Sequence, residues 1–203
     1  MTRFRPLSRF WRPMLSAAAL TVVLVFLGGC AGAAIGAGAT AGIVALEERP
    51  LEVVALDTAI ASRIRINLVN AGEKYIINVG IEVYEGRVLL TGYLPSEVMR
   101  AKAIRLTWEV ASVKDVFNEL LVGETNIKNL TRESWITAQL TSNITLDKKI
   151  LAINYSIETV GGTVYLIGLA QNQAELDRVV AHARNIRYVR NVISYVRVKK
   201  APA

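Results

Sequence analysis

A chain of 203 residues, 52% of them hydrophobic and with a formal net charge of +7, has room for one ordinary domain or two small ones and not for a large multidomain enzyme. The hydrophobic content excludes a disordered chain, the single cysteine excludes an intramolecular disulfide, and the single histidine excludes a histidine-rich metal site. Four of the 24 basic residues, Arg3, Arg5, Arg9 and Arg12, lie in the first twelve positions with no acid beside them. Beyond residue 29, 20 basic residues face 17 acidic ones, a net of +3, which argues against a nucleic-acid partner.

The first thirty residues follow the secretory plan: a positive start, an apolar stretch from Met14 to Phe26, then Leu27-Gly28-Gly29-Cys30. An ordinary signal has no need of a cysteine directly after its small residues. The segment resembles a bacterial lipobox, which implies cleavage before Cys30, a diacylglycerol on its thiol and acylation of the new amino terminus. Multiple acyl chains anchor firmly, each buried methylene contributing about 0.8 kcal/mol. Residue 31 is Ala rather than the Asp that the lipoprotein family associates with inner-membrane retention, so the resemblance implies the periplasmic face of the outer membrane. No charge occurs from Met14 to Leu46, and Gly32/Gly36 and Gly38/Gly42 recur at four-residue spacing. That pattern suits either a flexible tether or a helix packed in lipid, and the tether is the simpler reading.

The rest of the chain repeats with a gapless shift of 76 residues. Ile60 falls on Ile136, Asn78 on Asn154, Glu82 on Glu158, Gly86 on Gly162, Leu90 on Leu166, Gly92 on Gly168 and Val116 on Val192. The expected organisation is a signal peptide over 1–29, a lipidated cysteine and tether over 30–54, modules at 55–123 and 131–199, a linker at 124–130 and a tail at 200–203. In each module, apolar residues four apart (Ile60, Ile64, Leu68; Ile136, Leu140, Ile144) predict a first helix. Alternation then predicts a hairpin: Val79, Ile81 and Val83, a turn at Glu85-Gly86 or Gly161-Gly162, then Val88 and Leu90. Gly92 and Gly168 are expected to end the second strand, where backbones approach closely. Pro95-Ser96-Glu97 with Val98, Ala101 and Ile104 opens a second helix, and Asn172 caps its counterpart. Val116–Val122 and Val192–Val198 give a third strand. The fold class is therefore α+β, two tandem αββαβ modules, each a three-stranded sheet with two helices on one face. Modules this small are marginal alone, so the pair is expected to dock.

The element order, with Glu-Gly-x-Val-x-Leu-x-Gly at 85–92 and Val-Gly-Gly-x-Val-x-Leu-x-Gly at 160–168, resembles the BON domain. A tandem pair behind a lipobox, with Thr-Arg-Glu-Ser-Trp-Ile-Thr at 131–137, is similar to the dual-BON outer-membrane lipoproteins of the DolP type. The resemblance implies a periplasmic location, a part in keeping the outer membrane intact, and binding of anionic phospholipid such as phosphatidylglycerol or cardiolipin through the second module.

No residue set suggests catalysis. His182, the only histidine, aligns with Leu106 in the repeat and reads as structural, no metal-ligand cluster stands out, and no phosphate-binding glycine motif follows a strand. Neither cofactor nor enzyme activity is expected. Glu82 and Glu158 fall on the polar side of their strands, where a solvated charge is the default. Charge is segregated: residues 30–130 hold 10 basic and 12 acidic residues, residues 131–203 hold 10 and 5. Lys148, Lys149, Arg184, Arg187, Arg190, Arg197, Lys199 and Lys200 are candidates to meet anionic headgroups. Trp135 has Ala59 as its repeat partner and points roughly 140° from the buried stripe, so it faces outward unless it packs on the neighbouring module. Trp108 is expected to pack. With Thr131, Ala138 and Ser142 on the face of Trp135, the candidate lipid-binding set is Trp135, Ala138, Gln139, Ser142, Lys148 and Lys149. The family's basic residues near the tryptophan are replaced here by Gln139 and Thr141. The alternative function is an envelope adaptor for a protein or cell-wall partner, contacting it through the exposed face of a sheet.

Overall fold

The computed structural model describes residues 47–124 and 126–200. The signal segment, Cys30, the glycine-rich stretch that follows it and the last three residues of the tail lie outside them. The first module runs α1 (Leu51–Ala71), a short α2 (Glu73–Asn78), β1 (Val79–Tyr84), β2 (Arg87–Leu94), α3 (Glu97–Trp108) and β3 (Asp115–Val122). The second runs α4 (Ile127–Leu146), a 3-10 turn at Ala152–Asn154, β4 (Tyr155–Val160), β5 (Thr163–Ala170), α5 (Gln173–Arg184) and β6 (Asn191–Val198). In each sheet the second strand is central, antiparallel to the first and parallel to the third. A parallel pair needs a crossover, which α3 and α5 supply.

The predicted stripes form the cores. Ile60, Ile64 and Leu68 pack with Ile81, Val88 and Leu90, and Ile136, Leu140 and Ile144 with Val164 and Leu166. Both hairpin turns have two residues at positive φ, 55° and 78° at Glu85-Gly86 and 60° and 75° at Gly161-Gly162, as a two-residue turn matched to strand twist requires. A buried carboxylate holds each turn from the first helix. Asp57 accepts from the N–H groups of Glu85 and Gly86, and Glu133, its repeat partner, accepts from Gly161 N–H at 2.7 Å. Ser96 and Asn172 cap α3 and α5 through the N–H groups of Met99 and Glu175.

Three expectations change. Gly92 and Gly168 lie within their strands, opposite Val79 and Tyr155, because the close approach falls there: a Cβ would stand 1.9 Å from Asn78 O and 2.0 Å from Asn154 O. Val98 and Ala101 are exposed; Met99 and Ala103 turn inward instead, since the Ser96 cap sets the helix phase. The expected linker is shorter, because Asn126 caps α4 and its first turn begins at Ile127.

The second face of each sheet is also buried. Tyr84 and Leu89 pack with Val160, Tyr165 and Ile167, flanked by Phe117 and Tyr195. The rings of Phe117 and Tyr195 stack at 4.0 Å, and the Tyr195 hydroxyl donates to Glu119, its own repeat partner. Arg87 crosses the seam to donate to Tyr195 O at 2.8 Å and Gly168 O at 3.3 Å. The layers are helices, sheet, sheet, helices, so an adaptor acting through an open sheet face is excluded. Ile167→Ala should cost about 2–4 kcal/mol in a denaturant titration, and both modules should lose it in a single transition. Gly168→Ala should cost at least about 2 kcal/mol by the same measurement, because the clash is with backbone.

Candidate functional site

Trp135 is 45% exposed on α4. Its aromatic partner is Tyr188 of the same module, edge to face at 6.3 Å. Tyr188 lies in the loop between α5 and β6, at φ 74°, a conformation shared by its repeat partner Ser112 at φ 72°. The loop geometry is thus common to both modules, and only the second places an aromatic ring there, 45% exposed. Two guanidinium groups flank that ring, Arg187 at 4.6 Å and Arg132 at 4.9 Å from its centroid. Neither arginine pairs with a carboxylate among the described residues. Cation–π contacts of this kind fix the heads in place while leaving their charge uncompensated.

Ala138, Gln139 and Ser142 are exposed on the same side of α4, and Gln139 bonds Asn143. Lys148 and Lys149 are exposed past the other end of the helix, roughly 20 Å along its axis at 1.5 Å per residue. They do not join the Trp135 patch. Between them and the helix, Asp147 accepts from His182 at 2.9 Å, Lys149 N–H at 3.0 Å and Arg178 at 2.6 Å, and these donors, His182 foremost, hold its carboxyl well below the usual range. His182 thereby ties α5 to the end of α4. Arg197 pairs with Glu85 across the seam and Lys199 with Glu48 at 2.6 Å, which removes both from the headgroup candidates. Trp108 is 49% exposed, contrary to expectation, because the sheets dock through their other faces and leave α3 outside. Arg132 and Tyr188 were not foreseen. The one sequence signal was the position of Arg132 three residues before Trp135.

The seam holds a second group of polar residues. Glu82 and Glu158 are half-buried there, not solvated, because the polar side of each strand faces the other module. Ser156 lies beside Glu82 and opposes the rise of its carboxyl, whereas the position facing Glu158 is Gly80, which has no side chain to donate; a Cβ there would stand 3.8 Å from Glu158 Oε2. Burial and the Glu82 charge push the Glu158 carboxyl up to about 7. Burial also raises Glu82, opposed by Ser156, Arg65 and Arg49. Glu158 lines a cavity of about 520 Å³ between the modules, with Gly80, Thr91, Tyr93, Glu133 and Ala138 among the other walls. A carboxyl whose folded value lies above its ordinary 4.5 adds stability below that value and loses it as pH rises through 7. The denaturant midpoint should therefore fall between pH 5 and 8. Glu158→Gln should flatten that fall and raise stability at pH 8 by on the order of 1 kcal/mol after solvent screening.

No helix among the described residues is long and apolar enough to cross a membrane, and no group of three or more His, Cys, Asp or Glu among them is placed to hold a metal. The family model of the BON domain matches residues 56–124 and 132–200. The chain is 41% identical over 145 residues to an uncharacterized protein in the gshII 5′ region of Anaplasma centrale, covering 70% of this chain and 95% of that one. It is 31% identical over 169 residues to the outer membrane lipoprotein DolP of Haemophilus influenzae, covering 80% and 86%. It is 29% identical over 152 residues to a 21 kDa hemolysin of Actinobacillus pleuropneumoniae, covering 74% and 71%.

Proposed function

The chain belongs to the BON-domain family, as a tandem pair with an outer membrane lipoprotein among its relatives, and from that premise we propose that it is a lipid-anchored envelope protein reading anionic phospholipid. Cys30 carries the anchor, at the periplasmic face of the outer membrane, and the role is binding in support of membrane integrity rather than catalysis. The second module makes the contact. The observation that carries this reading is the patch of Trp135, Tyr188, Arg132 and Arg187. Two half-exposed aromatic rings offer amphipathic surface for the headgroup level, and two unpaired guanidinium groups offer planar donors to phosphate.

Ala138, Gln139 and Ser142 extend the contact along α4 as uncharged surface. Lys148 and Lys149 reach the same bilayer only when α4 lies nearly flat on it, and they then act as a separate electrostatic foot. Each contact is weak by itself. The acyl chains keep the module at high effective concentration over the leaflet, so modest affinity suffices.

A chain starting at residue 31 should bind phosphatidylglycerol or cardiolipin vesicles in co-sedimentation, less so as salt increases, and should bind phosphatidylcholine vesicles poorly. Trp135→Glu should abolish binding. Arg187→Glu should weaken it about tenfold or more, since each charge near the surface contributes about 1 kcal/mol. Lys148→Glu should have a smaller effect. Equal binding by wild type and Trp135→Glu contradicts the site, and a crosslinked protein partner that survives Trp135→Glu favours an adaptor acting through a surface other than the covered sheet faces.

A further inference from the structure

We propose that the cavity between the two modules binds a small soluble ligand carrying a primary ammonium on an apolar stem, with the ammonium seated at Glu158. The volume of about 520 Å³ falls within the range of small-molecule sites. Its lining contains two carboxylates, Glu133 and Glu158, and no lysine, arginine or histidine, so an anion is disfavoured. Ile77, Val79, Leu130, Ala138 and Val160 supply apolar wall, and Ile77 at 73% exposure and Leu130 at 48% leave them open to an alkyl chain.

The two carboxylates differ in what holds them. Glu133 Oε1 accepts from Gly161 N–H and from the Tyr93 hydroxyl at 3.0 Å, which anchors it as part of the frame. Glu158 accepts no hydrogen bond from any described residue, and where Ser156 stands beside its repeat partner Glu82, Glu158 faces Gly80. The asymmetry comes from Gly80. A serine at that position would have its Cβ 2.5 Å from Thr91 Oγ1 and would require the Thr91 side chain to turn away. A half-buried carboxylate on the cavity wall, with a second carboxylate in the same lining, gains both a donor and a counter-charge from an ammonium. A neutral alcohol supplies only the donor, and a carboxylate ligand meets repulsion. The cavity shares Ala138 with the lipid contact but uses none of Trp135, Tyr188, Arg132 and Arg187, so its failure leaves the lipid reading untouched.

The full chain, labelled with nitrogen-15 at glycine and held in nonionic detergent micelles, tests this by titration with n-hexylamine and n-hexanol. Hexylamine should shift the Gly80 and Gly92 amides saturably, at least tenfold more tightly than hexanol. Glu158→Gln should weaken hexylamine by tenfold or more without altering the weak response to hexanol. Ser134→Trp, at an exposed helical position on the cavity wall, should block the shifts while the remaining glycine resonances stay in place. Equal affinity for hexylamine and hexanol, unchanged hexylamine binding in Glu158→Gln, or no saturable shift of Gly80 overturns the proposal.

Discussion

Burial of the second face of each sheet against the other is the constraint on which the remaining structure depends. A three-stranded sheet with helices on one side exposes the other, and here that side carries Tyr84, Leu89, Tyr165 and Ile167. Exposed in separate modules of about 70 residues, such faces would leave each marginally stable. Docked, they make a third core between the first two. The arrangement is nearly two-fold, as in an isologous pair: Glu119 meets Tyr195 at the equivalent position, and Glu158 faces Gly80, the repeat partner of Ser156, which neighbours Glu82.

The seam also decides where function resides. With both sheet faces covered, the accessible surface consists of helices, loops and strand edges. Part of the positive excess of the second module is already engaged, since Glu85 of the first module binds Arg197 and Glu48, just ahead of α1, binds Lys199. Glu48 further ties the start of the described chain to the second module by donating its N–H to Asn154 at 3.1 Å. Guanidinium groups with no carboxylate partner among the described residues remain beside Trp135 and Tyr188. Duplication supplied two copies of the same loop, with Ser112 and Tyr188 at the same strained φ, and divergence placed an aromatic ring in one of them.

Periodicity carried the elements well. The stripes Ile60/Ile64/Leu68 and Ile136/Leu140/Ile144 are buried as their spacing requires, and the Glu-Gly and Gly-Gly turns take the positive φ values their residues allow. The outer sheet face was harder to read. Arg87, Thr91 and Tyr93 interrupt its apolar residues, so alternation looks like an ordinary solvent side, and Glu82 and Glu158 strengthen that impression. Only the partner module reveals the face as buried. The Tyr188 cluster was hidden for another reason: Arg132 and Tyr188 are far apart in sequence and meet through tertiary packing. The hairpin clasp was legible in principle, because Asp57 and Glu133 share a repeat position, and a pair of carboxylates among apolar stripes signals a buried acceptor.

If the seam makes the two modules one cooperative body, native-state hydrogen exchange gives the most direct reading. The amides of Leu90 and Leu166, central in the two sheets, should open with the same free energy and the same denaturant dependence, both equal to those of global unfolding. A Leu90 amide that exchanges through a smaller, separate opening while Leu166 stays protected would contradict the account, because the first module would then unfold without the second.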